Sequence, residues 1–595
     1  MNNARILIQD TGKWLLFEKP LSVIKTFETH QVIDCLEELQ EHLDQGYYGA
    51  GFLTYEASSA FEPDIPVYSS QLPKLWFAIF NKPKIINLFE NPGFCLPAIN
   101  WTPHISEENY LHNVSIIKGY IARGDTYQVN YTFDLKSQYK GDPFDYFRHV
   151  VLHHPSPYAA FVDTGCFSFC SFSPELFFSM NNNSITCKPM KGTASRGFNS
   201  AEDELIASQL FNCHKNRAEN VMIVDMIRND LSKISRTGSV KVPRLFEIEK
   251  YETVFQMTST VEAKTDRSIP QIFEALFPCA SITGAPKIRT SQIIHELEKR
   301  PRGIYCGSIG YATPQKRALF NVAIRTAFID YCSNSITYSI GSGVVWDSQS
   351  KDEFNECLSK ANLIKNGFPH FQLIESLLHT PDEGYFLLDS HIKRCINSCR
   401  YFDFKVIETS LIQHLTKLKE TLPDYPVKVR CVVHINGHIE SSTIAVVSVE
   451  EPILVTIAQS PVKSTDIYLY HKTTKRQVFE EALRSSKGGA DVIFWNENGY
   501  LTETTSANLV LLKNGRYLTP DVSCGLLAGT FRNHLLENKM IKEAKLKIED
   551  LFDCEKIFRI NSVRRWQRCE VVNADQRLRR NGGNECLEAA PSEQS

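Results

Sequence analysis

Two lysines stand where their neighbours could turn an ordinary side chain into a reagent. Lys191 sits between Met190 and Gly192 in the run PMKGT, and Lys472 lies in HKTTKR. A lysine taken out of water gives up its proton more readily and can then attack carbon or deprotonate it. Carboxylates accompany both. Glu175, in SPE, could deliver a proton to a departing hydroxyl, and Glu503 precedes TTSAN, a turn-forming run able to aim it inward. Glu353 and Glu356, three residues apart, share a helix face, and Glu219 stands earlier in the chain. Gly284 and Pro286 lead into a helix whose free N–H groups could receive an anion. Taken singly, each has a plainer reading: Lys191 and Glu175 as solvated strand ends, Lys472 as a loop lysine, the acidic residues as a wet helix face.

The elements that must position these residues fall into two groups, as expected for 595 residues, more than one core usually supports. Residues 351–366 predict an amphipathic helix, with Phe354, Leu358 and Ala361 on one side and Glu353, Glu356 and Lys360 on another. Gly367 and Pro369 stop it. The pattern restarts with an apolar strand around Phe371 to Leu378, a turn at Pro381 to Gly384 and a second strand at Tyr385 to Leu388. The expected domains are therefore 1–367 and 371–572, with a polar, mobile tail over 573–595. Within the first, SPE and PMKGT are flanked by strand-like residues. Residues 215–231, KNRAENVMIVDMIRNDL, predict a buried helix with Glu219, Asp225 and Arg228 at its margins.

Composition excludes several classes. With 43% hydrophobic and 22% charged residues the chain can build sizeable cores, and a net charge of −3 offers no footprint for nucleic acid. No secretory leader and no 18-residue apolar run is visible, so a soluble cytoplasmic protein without a membrane partner is expected. The 17 cysteines are scattered without zinc spacing and read as reduced thiols.

Read in order, GDTYQVN (124–130), SPE, PMKGT, residues 215–231, FPCASITGAPK (277–287), IYCGSIGY (304–311) and IGSGVVWDS (340–348) resemble the chorismate-utilising family over roughly residues 40–366. The resemblance implies an α+β sandwich with a magnesium-dependent site for chorismate. It implies that Glu219 and Glu356 ligate magnesium, with Glu353 close by. Tyr305, Arg325, Gly343 and Lys360 would hold the substrate's carboxylates, and Thr283, Gly284 and Ala285 would line the same pocket. Lys191, where ortho-aminating relatives carry Ala, resembles the aminodeoxychorismate synthase branch. There it would act as a covalent nucleophile on C2 while Glu175 protonates the departing C4 hydroxyl. Gln128 replaces the water-activating Lys of isochorismate and salicylate synthases, and Gln256 stands where many relatives have His, shifting acid work to Glu175. No glutaminase motif is present, so ammonia would come from a glutamine amidotransferase partner.

HIKR (391–394), HKTTKR (471–476), LTETTSANLVLL (501–512), GLLAGTFR (525–532) and RINSVRRW (559–566) resemble the fold-type IV pyridoxal-phosphate enzymes, commonly homodimers. The resemblance implies that Lys472 carries the cofactor, Glu503 faces its pyridine nitrogen, and Arg394, Thr530, Phe531, Asn561 and Ser562 form the phosphate cup. Arg565 occupies a position where close relatives tend to have Gly, leaving local backbone geometry open. The join itself favours a lyase that consumes what the first half makes, yielding 4-aminobenzoate for folate. Two other readings stand beside it. One is an anthranilate-type synthase fused to a branched-chain or D-amino-acid aminotransferase, against which Lys191 argues. The other is a catalytically silent binding protein, compatible with Gln256 and Arg565.

Overall fold

The computed structural model describes residues 4–88, 99–251, 254–361, 371–486 and 490–572. Contacts divide the chain into two compact units, Met1–Ser195 with Ala207–Phe368, and Arg196–Ile206 with Pro369–Ser595.

Strands such as Leu75–Phe80, LWFAIF, are buried at every position, as strands covered on both faces must be. In the first unit such strands form two ten-stranded sheets. Ile6, Phe17 and Phe169 of one sheet share a core with Phe52, Trp76 and Tyr311 of the other, Phe52 meeting Phe169 edge to face at 4.8 Å. Helices cover the outer faces. Val32–Asp44, His214–Ser232 and Ile269–Leu276 pack Leu36, Ile223 and Phe273 against Phe77, Phe178 and Phe320. On the other side, Glu107–Ala122, Lys287–Glu298 and Ser350–Lys360 bring Tyr110, Ile293 and Phe354 onto Tyr131 and Phe133. The result is a helix–sheet–sheet–helix sandwich of the expected α+β class. Its functional corner lies where Gly284–Ala285, Gln128–Gln138 and Ser335–Val344 run side by side in one sheet and Met190–Ser195 edges the other. Pro174 and Glu175 bridge the sheets, linking Phe167–Ser173 of the first to Leu176–Asn181 of the second.

In the second unit a four-stranded sheet, Gly384–Tyr385, Leu373–Thr380, Val427–Val433 and Ile439–Ala445, carries helices Leu388–Tyr401 and Glu408–Lys419 on a core of Leu377, Ile392 and Leu415. An eight-stranded sheet accompanies it. There Leu501–Thr504 pairs both with Asp491–Trp495 and, through Glu503 and Asn508, with Asn508–Lys513, so six of the strands close on themselves. Closure removes their free edges.

Several expectations change. The helix over 215–231 is buried on one face only: Ile223, Val224 and Ile227 are inside, whereas Asp225 and Arg228 pair at 2.7 Å on the exposed face. The strand expected at Tyr385 to Leu388 ends at Tyr385, because Leu387 adopts a left-handed conformation and helix Leu388–Tyr401 begins. The first domain also gives up Arg196–Ile206 to the second unit. There Arg196 pairs with Asp203 and lies over the Tyr401 ring at 4.3 Å, and Phe198 stacks on Tyr470 at 4.6 Å. The helix over 351–366 is seen as Ser350–Lys360, and the Gly367–Pro369 stop and the tail over 573–595 lie outside the described residues.

Candidate functional sites

Lys191 owes its direction to an irregular strand. The pairing of Met190–Ser195 with Val254–Lys264 slips between Met190 and Thr193, and such a bulge re-aims a side chain. Gly192 permits it. Its φ is +96°, and a Cβ there would stand 3.0 Å from Asn216 Cβ, so helix His214–Ser232 approaches as only glycine allows. The helix also braces the strand through buried Asn220, which donates to the Lys191 carbonyl at 3.4 Å and accepts from Ser259 Oγ at 2.5 Å.

A cavity of about 450 Å³ opens beside Lys191, with Glu175, Gln128, Gln256, Ser281, Tyr305, Arg325, Gly343, Glu219, Glu353, Glu356 and Lys360 in its wall. Glu175 is 2% exposed and accepts from Ser281 Oγ at 2.5 Å. Burial raises its pKa, opposed by Ser281 and Lys191, while burial lowers that of Lys191, opposed by Glu175 and Glu219. The environment thus pushes the pair toward a protonated acid and a neutral amine. A Cβ built on Gly343 would fall 2.3 Å from Gln128 Nε2 and 3.3 Å from Lys191 Nζ, so the bare glycine leaves room for both. Gln128 Oε1 is buried without a hydrogen-bond partner among the described residues. Gln256, on the paired strand Val254–Lys264, accepts from Thr193 Oγ1 at 3.1 Å and is thereby held against the lysine-bearing strand.

Three carboxylates ring the opening. Glu219 has its pKa raised by burial and by Glu353 and Glu356, against the pull of Lys191 and Lys215. Glu356 is engaged by Lys360 at 2.8 Å, and Lys360 also donates to the Gly341 carbonyl at 2.9 Å. Among the described residues no three His, Cys, Asp or Glu side chains converge on one ion position. The donor chemistry, hard oxygens repelling one another across a pocket, nevertheless suits a divalent cation that keeps its waters.

Thr283, Gly284 and Ala285 do not line the cavity as expected. Gly284 and Ala285 pair with Val129 and Gln128, and Thr283 donates to the Cys279 carbonyl at 3.2 Å, which places all three behind the wall; Ser281 and Ile282 reach it instead. The start of helix Lys287–Glu298, for which the sequence allows either an anion site or an ordinary helix start, is likewise absent from the lining.

In the second unit, the backbone of the four-stranded sheet holds the loop carrying Lys472: Ile374 N–H donates to the Lys472 carbonyl at 2.8 Å, and Leu373 bridges to Thr473. The surrounding cavity, about 390 Å³, contains Lys472, Glu503, Arg394, Thr530, Phe531, Asn561 and Ser562, all seven residues expected there. Burial, helped by Arg394 and Arg476, brings Lys472 down to about 8, and burial lifts Glu503 to about 7. Glu503 accepts from Leu527 N–H at 3.3 Å and from Asn508 Nδ2 at 3.4 Å. Helix Thr530–Glu537 points its first turn into the cavity, and its cap, Gly529, has no room for a Cβ, which would lie 2.1 Å from Asn508 Oδ1. Free N–H groups at a helix start receive phosphate well, so the lysine, acid and cup present here fit pyridoxal phosphate.

Arg565 is outside this cavity. It turns the hairpin between Lys556–Asn561 and Arg565–Val571 at φ +57°, the conformation glycine adopts without cost. Its guanidinium pairs with Glu383 at 3.3 Å and lies over Phe386 at 4.6 Å. Arg565→Gly should therefore shift stability by no more than about 1 kcal/mol, the relieved strain offsetting the lost contacts, and leave cofactor affinity unchanged in a titration.

Sequence reasoning missed Ser281, Glu375, Lys428, Arg430 and Arg476. The alternation of cations and apolar residues in VKVRCVV and the lone acid in LIESLLHT were the available signals.

Residues 96–366 match the model for chorismate binding enzyme, and residues 372–572 the model for amino-transferase class IV. Aminodeoxychorismate synthase component 1 of Bacillus subtilis (strain 168) is 39% identical over 258 residues, 43% of this chain and 54% of that protein. Anthranilate synthase component 1 of Aquifex aeolicus (strain VF5) is 35% identical over 267 residues, 44% of this chain and 54% of its own. The crystal structure of anthranilate synthase component I from Streptococcus pneumoniae TIGR4 superposes with a TM-score of 0.53 at 26% identity, covering 61% of this chain and 92% of that one. The chain spans about half the length of the curated relatives named here. No helix among the described residues is long and apolar enough to cross a membrane.

Proposed function

Because the chain carries a chorismate-binding-enzyme domain followed by an aminotransferase class IV domain, we propose that it makes 4-amino-4-deoxychorismate from chorismate and ammonia and then removes pyruvate to give 4-aminobenzoate. The observation that carries this reading is Lys191, set in a cavity beside a buried acid whose pKa is displaced opposite to its own.

In the first step the neutral Lys191 Nζ bonds to ring carbon C2 and loses a proton, both ring double bonds shift by one position, and the C4 hydroxyl leaves as water on a proton from Glu175. Ammonia then bonds to C4 and loses a proton, both double bonds return, and Lys191 departs as the protonated amine. Gln128 cannot act as a base toward water, and its unpartnered oxygen can accept an N–H instead. Arg325, Tyr305 and Lys360, all in the cavity wall, would receive the substrate's carboxylates. Glu219 and Glu356, with Glu353 nearby, would hold magnesium, which supplies charge neutralisation for a ring carboxylate. Ammonia would come from a glutamine amidotransferase subunit, a second component that the "component 1" names of the relatives suit.

In the second site pyridoxal phosphate, held by Lys472, Glu503 and the phosphate cup, would supply an electron sink for the carbon bearing the substrate's amine. Lys472 would take the C4 proton, the C3–O bond would break with its electron pair leaving on enolpyruvate, which takes up a proton to become pyruvate, and the ring would become aromatic. Lys428, Arg430, Arg476 and Arg564 face the same cavity. Burial and these like charges lower the pKa of Lys428, and neither Lys428 nor Arg430 has an acidic partner among the described residues. Such crowding suits a substrate bearing two carboxylates. Incubation with chorismate and ammonium tests the reading: a para-amino product supports it and anthranilate overturns it.

The lysine's acidity gives a pH prediction. Capture of the cofactor requires a neutral Lys472, whose fraction grows as pH rises through about 8. The capture rate should rise with pH and level off above that value, where an ordinary lysine would keep climbing toward about 10.4. Stopped-flow absorbance after mixing cofactor-free protein with pyridoxal phosphate reads the midpoint.

A further inference from the structure

Glu375 is 3% exposed on the strand Leu373–Thr380 and lies behind the cavity wall formed there by Ile374, Ser376 and Arg394. Both of its oxygens are engaged. Oε1 accepts from Arg394 Nε at 3.0 Å, and Oε2 accepts from Arg394 Nη2 at 2.6 Å and from His391 Nδ1 at 2.6 Å. The far side of the His391 ring reaches Thr530, with Nε2 3.2 Å from Oγ1. Arg394 and Thr530 come from different helices, Leu388–Tyr401 and Thr530–Glu537, yet both are tied to this one carboxylate.

Hydrogen positions follow from the network. Burial resists ionisation of Glu375, but Arg394 and His391 prevail and hold its carboxyl at about 2. An ionised carboxylate only accepts, so His391 Nδ1 carries the hydrogen. Burial lowers the pKa of His391, against the pull of Glu375, and a neutral ring leaves Nε2 as an acceptor. Thr530 must then donate its hydroxyl hydrogen to His391. That bond fixes the Thr530 rotamer and leaves the backbone N–H groups of Thr530 and Phe531, with the Arg394 guanidinium, as the donors presented to the cavity.

On the reading that this unit binds pyridoxal phosphate, we propose that Glu375 is the positioning residue of the phosphate cup, acting on Arg394 directly and on Thr530 through His391. Through this carboxylate the Arg394 guanidinium and, by way of His391, the Thr530 hydroxyl belong to one hydrogen-bonded network. A guanidinium without this bidentate partner would have to be ordered by the phosphate itself, at the expense of affinity.

The test uses the full chain and measures the dissociation constant of pyridoxal phosphate by equilibrium dialysis, with the 31P resonance of the bound phosphate as a second readout. Wild-type protein should bind one equivalent. Glu375→Gln should weaken binding about 10–100-fold and move or broaden the 31P line. Introduced on an Arg394→Gln background, Glu375→Gln should cost less, because one of the two groups it acts through is gone and only the Thr530 branch remains. A Glu375→Gln variant that binds as tightly as wild type, or losses that simply add, would overturn the proposal while leaving cofactor binding intact. Wild-type protein that binds no cofactor would instead overturn the reading of the whole unit. Should Glu375→Gln fail to fold, His391→Asn cuts only the Thr530 branch. Its loss of affinity should shrink on a Thr530→Ala background, and an undiminished loss there overturns the proposal equally.

Discussion

Replacing Lys191 by Ala should lower formation of the para-amino product by on the order of 10³-fold or more, since removal of a covalent nucleophile costs far more than loss of a single binding contact. The substitution removes a chain that touches the cavity and leaves Asn220 and Gly192, which shape the strand, in place. Melting temperature and chorismate binding should therefore change little. Product analysis by chromatography decides the matter. Para-amino product undiminished in Lys191→Ala would mean that ammonia attacks C4 directly and that Lys191 serves only as a charge. A switch to an ortho-amino product would show that Lys191 directs regiochemistry.

Loss of Lys472 should be as severe in the second site. Lys472→Ala should abolish the borohydride-stable attachment of cofactor to the chain and stop pyruvate release, while amination in the first site continues. The intermediate should then accumulate. Peptide mapping after reduction locates the attachment. Its finding at any other lysine of that cavity, such as Lys428 or Lys475, would displace Lys472 from its role.

How far these sites could be read from the sequence depended on whether their residues are local. Lys191, Glu175, Lys472 and Glu503 sit in short runs whose neighbours shape them: Gly192 for the bulge, Pro174 for the crossing between sheets, TTSAN for the turn after Glu503. Side-chain pairings across long separations were invisible, even where one partner, such as Thr530, was expected in the site. Ser281 meets Glu175 from 106 positions away, and Thr530 meets His391 from 139. Gly284 and Ala285 pair with Gln128–Gln138 at the end of a sheet and stand outside the cavity lining, which Ser281 and Ile282 of the same motif reach. Leu387 was unreadable because a left-handed leucine has no sequence signature. Arg565 shows the reverse case, where a residue that looked disruptive proves to turn a hairpin with its side chain outside the site.

If two enzymes act in succession on one small molecule, a single incubation shows it. The full chain is supplied with chorismate, magnesium and ammonium, with and without pyridoxal phosphate, and the products are identified and counted. With cofactor, 4-aminobenzoate and pyruvate should appear in equal amounts. Without it, 4-amino-4-deoxychorismate should accumulate and pyruvate should be absent. Anthranilate as the product, or pyruvate released equally in both incubations, would contradict the account.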